Sequence, residues 1–458
     1  MPRPMRERVH PLLAAEYDNM LHCVRCGLCL SVCPTYQETF DEEESPRGRI
    51  AMARALTEGH IGVTPDLLRH LDSCLLCDAC TAICPAGVQM EELGVALRTV
   101  LEESRPHSRR ERVLRHLVLR RLFPHMGLFR VLVRALWLYQ KSGLQRALRA
   151  SGLLRLLRLA EVEALLPPVD SRFLVPRGQV WGPRAATLPS QRSGDQAPRQ
   201  AALFAGCVMS TALAEIDRAT VRVLQANGFT VHVPAGQGCC GALNAHLGDR
   251  EGARLLARRT IAAFEQTPEM PVVVNSAGCG AMLKHYPHLL ANDPAYAARA
   301  QRFAARVRDI SELLYDLLRE GQLNTAMGPV GLVATYQAPC HLAHAQRLRA
   351  EPLALLRRVP DLELRPLPEA DLCCGSAGVY NLTQPDMAAR LLKRKLDQIE
   401  ATGAEAVISA NPGCIMQIAA GLRQRAAAQG RAPLRVLHLV EVLDQAYCNA
   451  SQENASPC

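Results

Sequence analysis

The sequence has few aromatic residues and no long uninterrupted apolar run. Phe, Trp and Tyr together make up 4% of its 458 residues, which argues against a dedicated surface for stacking bases or sugars. Arginine interrupts the longest apolar segments, so we expect no membrane-spanning helix. The N-terminus, MPRPMRERVHPLLAAEYDN, has neither an apolar h-region nor a small-residue cleavage site. These absences predict a cytoplasmic protein.

Motifs for substrate chemistry are missing as well. No GxGxxG opens a βα unit, and no Ser/His/Asp arrangement stands out, so we expect neither a dinucleotide site nor a catalytic residue in this chain. The formal net charge is +9 when cysteines are counted as neutral. Thiolates that bind metal would lower that charge, so it does not indicate a nucleic-acid partner.

Cysteine, in contrast, is abundant. The chain has 18 cysteines, and in a reducing compartment such residues are metal ligands more often than disulfides. A length of 458 residues with 48% hydrophobic content suits two or three domains. The fold class that we predict is multidomain α+β. The predicted regions are a ferredoxin-like domain (1–100), a basic helical segment (101–166), a linker (167–199), a first lobe (200–330), a second lobe (331–447) and a tail (448–458).

The N-terminal segment contains the spacing C-x2-C-x2-C-x3-C-P twice, starting at Cys23 and at Cys74. Three closely spaced cysteines can bind one cubane, and the fourth cysteine opens a helix that points away and serves the other cluster. A zinc ion binds four ligands in a tetrahedral arrangement and does not require such a crossed pattern. The spacing therefore predicts an α-helical domain with two [4Fe–4S] clusters. The predicted ligands are Cys23, Cys26, Cys29 and Cys84 for cluster 1, and Cys74, Cys77, Cys80 and Cys33 for cluster 2.

Two arginines lie between these motifs in the segment SPRGRI, which we expect to be part of a helical insertion. Arg47 and Arg49 could offset the negative charge of a cluster or face a partner. An ordinary solvated surface is an equally good explanation of both side chains.

The C-terminal half is an internal repeat. Its first four cysteines recur with offsets of 133, 134, 134 and 135 residues. The two sets are Cys207, Cys239, Cys240 and Cys279, and Cys340, Cys373, Cys374 and Cys414. Short apolar strands alternate with helices in each lobe, which predicts a parallel α/β sheet. The cysteines follow the carboxyl ends of strands, where such sheets build their sites.

The chemistry of these eight cysteines stays open at this stage. They could hold a third iron–sulfur cluster in at least one lobe, or a zinc ion. A structural role, or a redox dithiol at the Cys239–Cys240 and Cys373–Cys374 pairs, would also fit. His341 is a candidate extra ligand, although a solvent-facing or hydrogen-bonded histidine is the more common case.

The repeated pattern Cys…CCG…Cys resembles the cysteine-rich CCG domain of heterodisulfide reductase and related subunits. In the fullest form of that domain the last element is CxxC, so each lobe has five cysteines and permits a noncubane cluster. Here Ser276 and Asn411 stand where the first cysteine of each CxxC would be. This departure from the full pattern leaves four cysteines in each lobe and puts the noncubane cluster in doubt.

The whole arrangement resembles the iron–sulfur subunit of glycolate oxidase (glycolate dehydrogenase). The matching stretches are HCVRCGLCLSVCPTY, SPRGRI, NSAGCGAMLKHY, LAHAQRL and LCCGSAGVYNLTQPDMA. This resemblance implies an electron-transfer subunit of an enzyme complex, whose FAD-binding partner subunits oxidise glycolate to glyoxylate. It also implies that FAD lies on those partners, and that electrons pass onward to a quinone or another carrier.

Related assemblies give the alternatives. The same cluster architecture occurs in the iron–sulfur subunits of anaerobic glycerol-3-phosphate dehydrogenase and of lactate or D-2-hydroxy-acid dehydrogenases. A disulfide reductase that uses a CCG-bound cluster is a further alternative. The arginine-rich helices could rest on the inner face of the cell membrane as a peripheral contact. They could equally bind a flavoprotein partner or cover the core with long side chains.

Overall fold

The computed structural model describes residues 10–156, 159, 163–164, 166–169, 172–183 and 198–452. Its N-terminal part is helical, and four of its helices begin with proline, a residue suited to the first helical turn. The helices are Pro11–Ala15, Tyr17–Leu21, Pro34–Thr39, Pro46–Thr57, Pro65–Asp72, Ala79–Ile83 and Met90–Ser104, with 3₁₀ turns at Leu28–Val32 and Glu42–Glu44. Their apolar faces form a small core around Leu71, Leu93 and Leu97, and four of the N-terminal cysteines pack against it.

A second helical segment follows and lies on the first lobe. It consists of Arg109–Arg115, a π-helical turn at His116–Leu122, Met126–Lys141, Leu144–Ala150 and Leu153–Leu156. Arg115 Nη2 donates to the carbonyl of Leu247 over 2.7 Å. Asn244 Nδ2 donates to the carbonyl of Leu119 over 3.1 Å. The basic segment is therefore docked on the first lobe through its backbone as well as its side chains.

The first lobe contains a five-stranded sheet in the order β1-β3-β2-β4-β5. The strands are β1 (Gln179–Trp181), β2 (Arg199–Leu203), β3 (Phe229–Val233), β4 (Val272–Val274) and β5 (Val307–Asp309). All pairings are parallel except that of β1 with β3. The helices are Ala214–Ala226, Ala242–His246, Arg250–Phe264, Ala277–Leu289, Ala297–Ala305 and Ile310–Arg319.

The second lobe repeats this topology without the antiparallel edge strand. Its parallel sheet has the order β7-β6-β8-β9, with β6 (Leu332–Tyr336), β7 (Leu362–Arg365), β8 (Ala406–Ser409) and β9 (Arg435–His438). The helices are a π-helical turn at His341–Ala345, then Ala350–Leu356, Tyr380–Thr383, Pro385–Ala401, Pro412–Ala428 and Leu439–Gln452. The predicted duplicated α/β architecture is confirmed, and the strands expected before each cysteine are present.

The predicted domain boundaries stay predictions. Strand β1 lies inside the segment that we expected to be a linker, and residues 184–197 of that segment lie outside the described residues. In the described part of the chain no helix has both the length and the hydropathy that a membrane span requires.

Candidate iron–sulfur centres

The two N-terminal cysteine loops have the same backbone shape. In the first loop Arg25 and Gly27 have φ of 56° and 86°, and in the second Leu76 and Asp78 have φ of 50° and 62°. These residues occupy equivalent positions of the two motifs. Left-handed backbone at alternate positions curls a short loop tightly. The first three thiols of each motif can therefore face a common point.

Two cavities lie at these points. One, of about 450 Å³, is lined by Cys23, Cys26, Cys29 and Cys84 among other residues. The other, of about 380 Å³, is lined by Cys33, Cys74, Cys77 and Cys80. Each cavity thus brings together three cysteines of one motif and the last cysteine of the other. The side chain of Cys80 lines both cavities, so the two sites are immediate neighbours.

The two thiol sets differ in their exposure. Cys26 is exposed, whereas Cys33 and Cys77 are buried. Burial raises the pKa of the Cys77 and Cys80 thiols well above its usual value. Because iron binds the thiolate, loading of the second cavity must release protons, and nearby positive charge favours that step.

Arg49 supplies positive charge at the second cavity. The side chain is buried, and its guanidinium donates to Glu44 Oε2 over 2.6 Å and to Ser73 Oγ over 2.6 Å. Nη1 lies 4.0 Å from Cys33 Sγ. The solvated-surface alternative is therefore wrong for Arg49. Arg47 differs, since it is partly exposed, pairs with Glu42 and lines the first cavity.

In lobe 1 the four cysteines converge as predicted. Cys207 follows β2, the Cys239–Cys240 pair follows β3, and Cys279 lies in the helix after β4. Interaction with the Cys239 thiol raises the pKa of Cys207, and interactions with Cys239 and Cys279 raise the pKa of Cys240, so the four thiols are neighbours in that order. Gly241 has a φ of 89°, and a Cβ there would meet the carbonyl oxygen of Ala253 at 3.2 Å. Glycine is therefore needed directly after the cysteine pair.

The helix Met126–Lys141 covers this quartet. Phe129 and Val133 of that helix pack in one apolar cluster with Cys207 and Cys239. A Cβ on Gly238 would meet Met126 Cγ at 3.2 Å. The basic helical segment thus covers the Cys207 and Cys239 side of the lobe 1 quartet with apolar side chains.

The lobe 2 quartet has the same chain of contacts and more charge around it. Cys340, Cys373, Cys374 and Cys414 are all buried, and each thiol interacts with the next in that order. His341 Nδ1 lies 3.7 Å from Cys340 Sγ. Lys395 is fully buried, and its positive charge interacts with Cys374 and Cys373. Hydrogen bonds from neighbouring thiols, aided by these cations, lower the pKa of Cys340 and Cys374.

The second N-terminal motif lies directly against the lobe 2 quartet. Cys77 belongs to the same buried cluster as Cys340 and Cys373. Tyr380 Oη donates to the carbonyl of Ser73 over 2.7 Å and fixes the motif against the lobe. A thiol of the second N-terminal cavity is thus packed beside the thiols of lobe 2.

Ser276 and Asn411 stand where the fifth cysteine of each lobe would be, and neither provides a sulfur ligand. Asn411 Nδ2 donates to Cys414 Sγ over 3.5 Å, and Asn411 Oδ1 accepts from Gly278 N of lobe 1 over 3.0 Å. Ser276 is buried and does not cap its helix with its side chain. The donor set is thus four sulfurs in each lobe, with His341 as an additional neighbour in lobe 2.

Sequence reasoning missed several residues of these sites. Lys395 lies in the charged run KRKLD, which gave no sign that its middle lysine is buried. Glu44, which accepts from Arg49, lies in a 3₁₀ turn of three consecutive glutamates, and nothing in that run marks Glu44 as the buried one. No pattern in the sequence separates such buried charges from exposed ones.

Models of known protein families match the N-terminal motifs, the basic helical segment and both lobes. A 4Fe-4S dicluster domain matches residues 19–88, and a cysteine-rich domain matches residues 201–284 and 334–419. The linker region of the glycolate oxidase iron–sulfur subunit matches residues 110–166. These matches confirm the predicted two-cluster ferredoxin domain and the duplicated cysteine-rich lobes.

Individual relatives point in the same direction. A probable glycolate oxidase iron–sulfur subunit of Bacillus subtilis is 39% identical over 434 residues, which cover 94% of this chain and 95% of the relative. The glycolate oxidase iron–sulfur subunit of Escherichia coli is 34% identical over 441 residues, with 94% and 96% covered. Lactate utilization protein A of an Exiguobacterium is 32% identical but matches only 53% of this chain. The chain therefore belongs to the glycolate oxidase iron–sulfur subunit family.

Proposed function

We propose that this chain relays electrons within a glycolate-oxidising complex. The observation that carries the proposal is the packing of three thiol sets in series. The first N-terminal cavity adjoins the second through Cys80, and the second adjoins the lobe 2 quartet through Cys77. The names of the full-length relatives supply the glycolate-oxidising context.

For the ligands we propose the crossed sets that the spacing predicts. Cys23, Cys26, Cys29 and Cys84 would hold cluster 1, and Cys74, Cys77, Cys80 and Cys33 would hold cluster 2. The donor chemistry fits, because the four cysteines proposed for each cluster line one cavity. A [4Fe–4S] cluster, when bound, supplies a one-electron redox centre. Around cluster 2, Arg49 would balance the charge of the thiolates and orient Cys33.

A third cluster in lobe 2 is the next part of the proposal. Hydrogen bonds lower the pKa of Cys340 and Cys374, as they do that of Cys239 in lobe 1, and the lobe 2 thiols also have two buried cationic neighbours, His341 and Lys395. The lobe 1 quartet would instead hold zinc or remain as thiols. Phe129 and Val133 pack over Cys207 and Cys239 of this quartet, which suits a structural role.

Substrate oxidation is proposed to take place on FAD-binding partner subunits. This chain has thiol sites in its cavities and no dinucleotide motif, so it suits a role after the flavin. A flavin accepts two electrons from a 2-hydroxy acid and releases them singly. A quinone or another carrier would be the final acceptor.

We further propose peripheral contact between the basic helical segment and an anionic membrane surface. Half of the large apolar side chains that are exposed in the described residues lie in residues 109–156, among them Leu128, Val131 and Leu132. Exposed arginines such as Arg121 and Arg134 are interleaved with them. Apolar side chains mixed with arginine suit an anionic lipid interface, where a quinone would be available.

Reconstitution tests the relay. Flavoprotein partners alone should reduce an artificial dye with glycolate, and adding this chain should enable reduction of a soluble quinone analogue. Quinone reduction without this chain would contradict the relay. A clear preference for lactate or glycerol 3-phosphate would favour the related dehydrogenases, and disulfide reduction by this chain alone would favour a reductase.

Vesicle sedimentation tests the membrane contact. The chain should sediment with phosphatidylglycerol vesicles and not with phosphatidylcholine vesicles. Replacing Leu128 and Leu132 by glutamate should abolish sedimentation, whereas Leu382→Glu, at an exposed leucine of lobe 2, should not. Equal sedimentation of all three proteins would contradict this contact.

A further inference from the structure

Away from the cysteines, three metal-binding side chains meet where the N-terminal segment contacts lobe 1. Glu92 lies in the helix Met90–Ser104, and His285 and His288 lie in the helix Ala277–Leu289. One ligand atom from each of the three lies within 4.8 Å of those of the other two. The histidines are three residues apart, so they share one face of their helix.

The two ring nitrogens of His288 face different carboxylates. Nδ1 lies 3.6 Å from Glu92 Oε1, is buried and has no hydrogen-bond partner. Nε2 lies 3.3 Å from Glu16 Oε1. Glu16 is itself buried, and its other oxygen accepts from Asn19 Nδ2 over 3.0 Å. A carboxylate on the far nitrogen of a histidine is the usual arrangement around a metal-binding imidazole.

We propose that Glu92, His285 and His288 bind a first-row divalent cation, best represented by Zn²⁺, and that Glu16 positions His288. Two imidazoles and one carboxylate are a typical donor set for zinc with water as the fourth ligand. Ligand atoms around tetrahedral zinc lie about 3.4 Å apart, so small side-chain movements suffice. The ion would join the iron–sulfur segment to lobe 1.

The electrostatics of the site are compatible with a cation. Burial lowers the pKa of His285 to about 3, helped by the charges of His288 and Arg250, so the imidazole is a neutral ligand at pH 7. Burial also lowers the pKa of His288. The positive charge of Arg250, which interacts with Glu16, opposes the binding of a cation. The carboxylates of Glu16 and Glu92 together outweigh it once a cation lowers their pKa.

Metal analysis of the cluster-loaded chain tests the site. Protein prepared anaerobically, with iron and sulfide occupying the cysteines, is treated with EDTA and then equilibrated with Zn²⁺. Wild type should retain one zinc per chain more than His285→Gln. His232→Gln, a lobe 1 control whose histidine contacts Gln200, should match wild type. Any zinc held by the lobe 1 cysteines cancels in this difference.

Three further readouts complete the test. Zn²⁺ should raise the thermal midpoint of wild type and His232→Gln but not that of His285→Gln. Glu92→Gln changes a partly exposed residue and serves as the second ligand variant if His285→Gln fails to fold. Glu16→Gln should weaken zinc binding by about 10- to 100-fold without abolishing it. Equal zinc content in wild type and both ligand variants, or anomalous zinc scattering at cysteines only, would overturn the proposal.

Discussion

The two cysteine-rich lobes have the same topology and the same four cysteines but different surroundings. In lobe 2 the quartet has His341 and the buried Lys395 beside it. His341 corresponds to Val208 of lobe 1 by the offset of the first cysteines, and Lys395 corresponds to Thr260, because the helices Pro385–Ala401 and Arg250–Phe264 align with an offset of 135 residues. The four cysteines are thus the same in the two lobes, while the side chains beside them differ in charge.

The two quartets also differ in what covers them. In lobe 1 the apolar face of Met126–Lys141 packs over Cys207 and Cys239, whereas in lobe 2 the second N-terminal motif, with its own cysteines, packs against Cys340 and Cys373. Buried thiolates need nearby positive charge or hydrogen bonds. This difference is the basis of our proposal that the lobe 2 cysteines take part in the electron relay and that the lobe 1 cysteines form a structural site.

The largest expected effect is that of Cys77→Ser, which removes the thiol shared by the second cavity and the lobe 2 junction. Electron transfer from glycolate to the quinone analogue should fall to background in the reconstituted complex. Dye reduction by the flavoprotein partners should remain, because their chemistry does not use this thiol. Persistent quinone reduction would remove Cys77 from the relay.

A matched pair of substitutions compares the lobes directly. Cys374→Ser in lobe 2 should slow quinone reduction on the order of tenfold or more, because it removes a proposed ligand of the third cluster. Cys240→Ser, at the equivalent position of lobe 1, should lower stability but leave the rate per folded chain nearly unchanged. Steady-state rates and thermal unfolding of both variants check this. Equal losses of rate would abolish the distinction between the lobes.

Charge beside the lobe 2 quartet should tune its redox potential. A unit charge about 4 Å away contributes on the order of 100 mV in a protein environment, so His341→Gln should lower the reduction potential by up to that amount. The reciprocal substitution Val208→His should leave the measured potentials unchanged if lobe 1 holds no redox centre. Redox titration followed by EPR measures both.

The pH dependence of that shift is a separate prediction. Burial opposes protonation of His341, but the Cys340 thiolate outweighs it and raises the histidine pKa to about 9. The imidazolium is therefore fully present below its unfolded pKa of about 6.5 and is lost as pH rises through about 9. The difference in potential between wild type and His341→Gln should shrink over that window. A constant difference up to pH 10 would mean that charge is not the cause.

The smallest effects are expected from two buried tyrosines. Tyr380→Phe removes the hydrogen bond to Ser73, and Tyr286→Phe removes a bond of 2.8 Å to the carbonyl of Cys240. Each should cost about 1 kcal/mol of the free energy of unfolding, measured by denaturant titration. Tyr380→Phe alone should also slow electron transfer, because its tyrosine fixes the second motif against lobe 2.

Much of this organisation was predictable from sequence. The crossed spacing around Cys33 and Cys84, the repeat offsets and the strand before each cysteine follow from short local patterns. The short strands β5 and β9 were not predicted, since Val307–Asp309 and Arg435–His438 carry little apolar signal. Local patterns identify which residues can bind metal.

What surrounds the thiols was not predictable. Lys395 and Arg49 are buried only because distant segments close over them, and such contacts leave no periodic signal. The packing of Cys77 beside Cys340 joins residues more than 250 positions apart. Similarly, Glu92 and His285 meet only because the N-terminal helices contact lobe 1. Long-range packing, and not composition, distinguishes the two quartets.

The most direct test of the asymmetry is iron and acid-labile sulfide per chain, with EPR of the reduced protein, for anaerobically purified wild type, Cys374→Ser and Cys240→Ser. We predict about twelve irons in wild type and in Cys240→Ser, and about eight in Cys374→Ser. Eight irons in wild type, or a loss of four in Cys240→Ser and none in Cys374→Ser, would contradict the assignment of a third cluster to lobe 2.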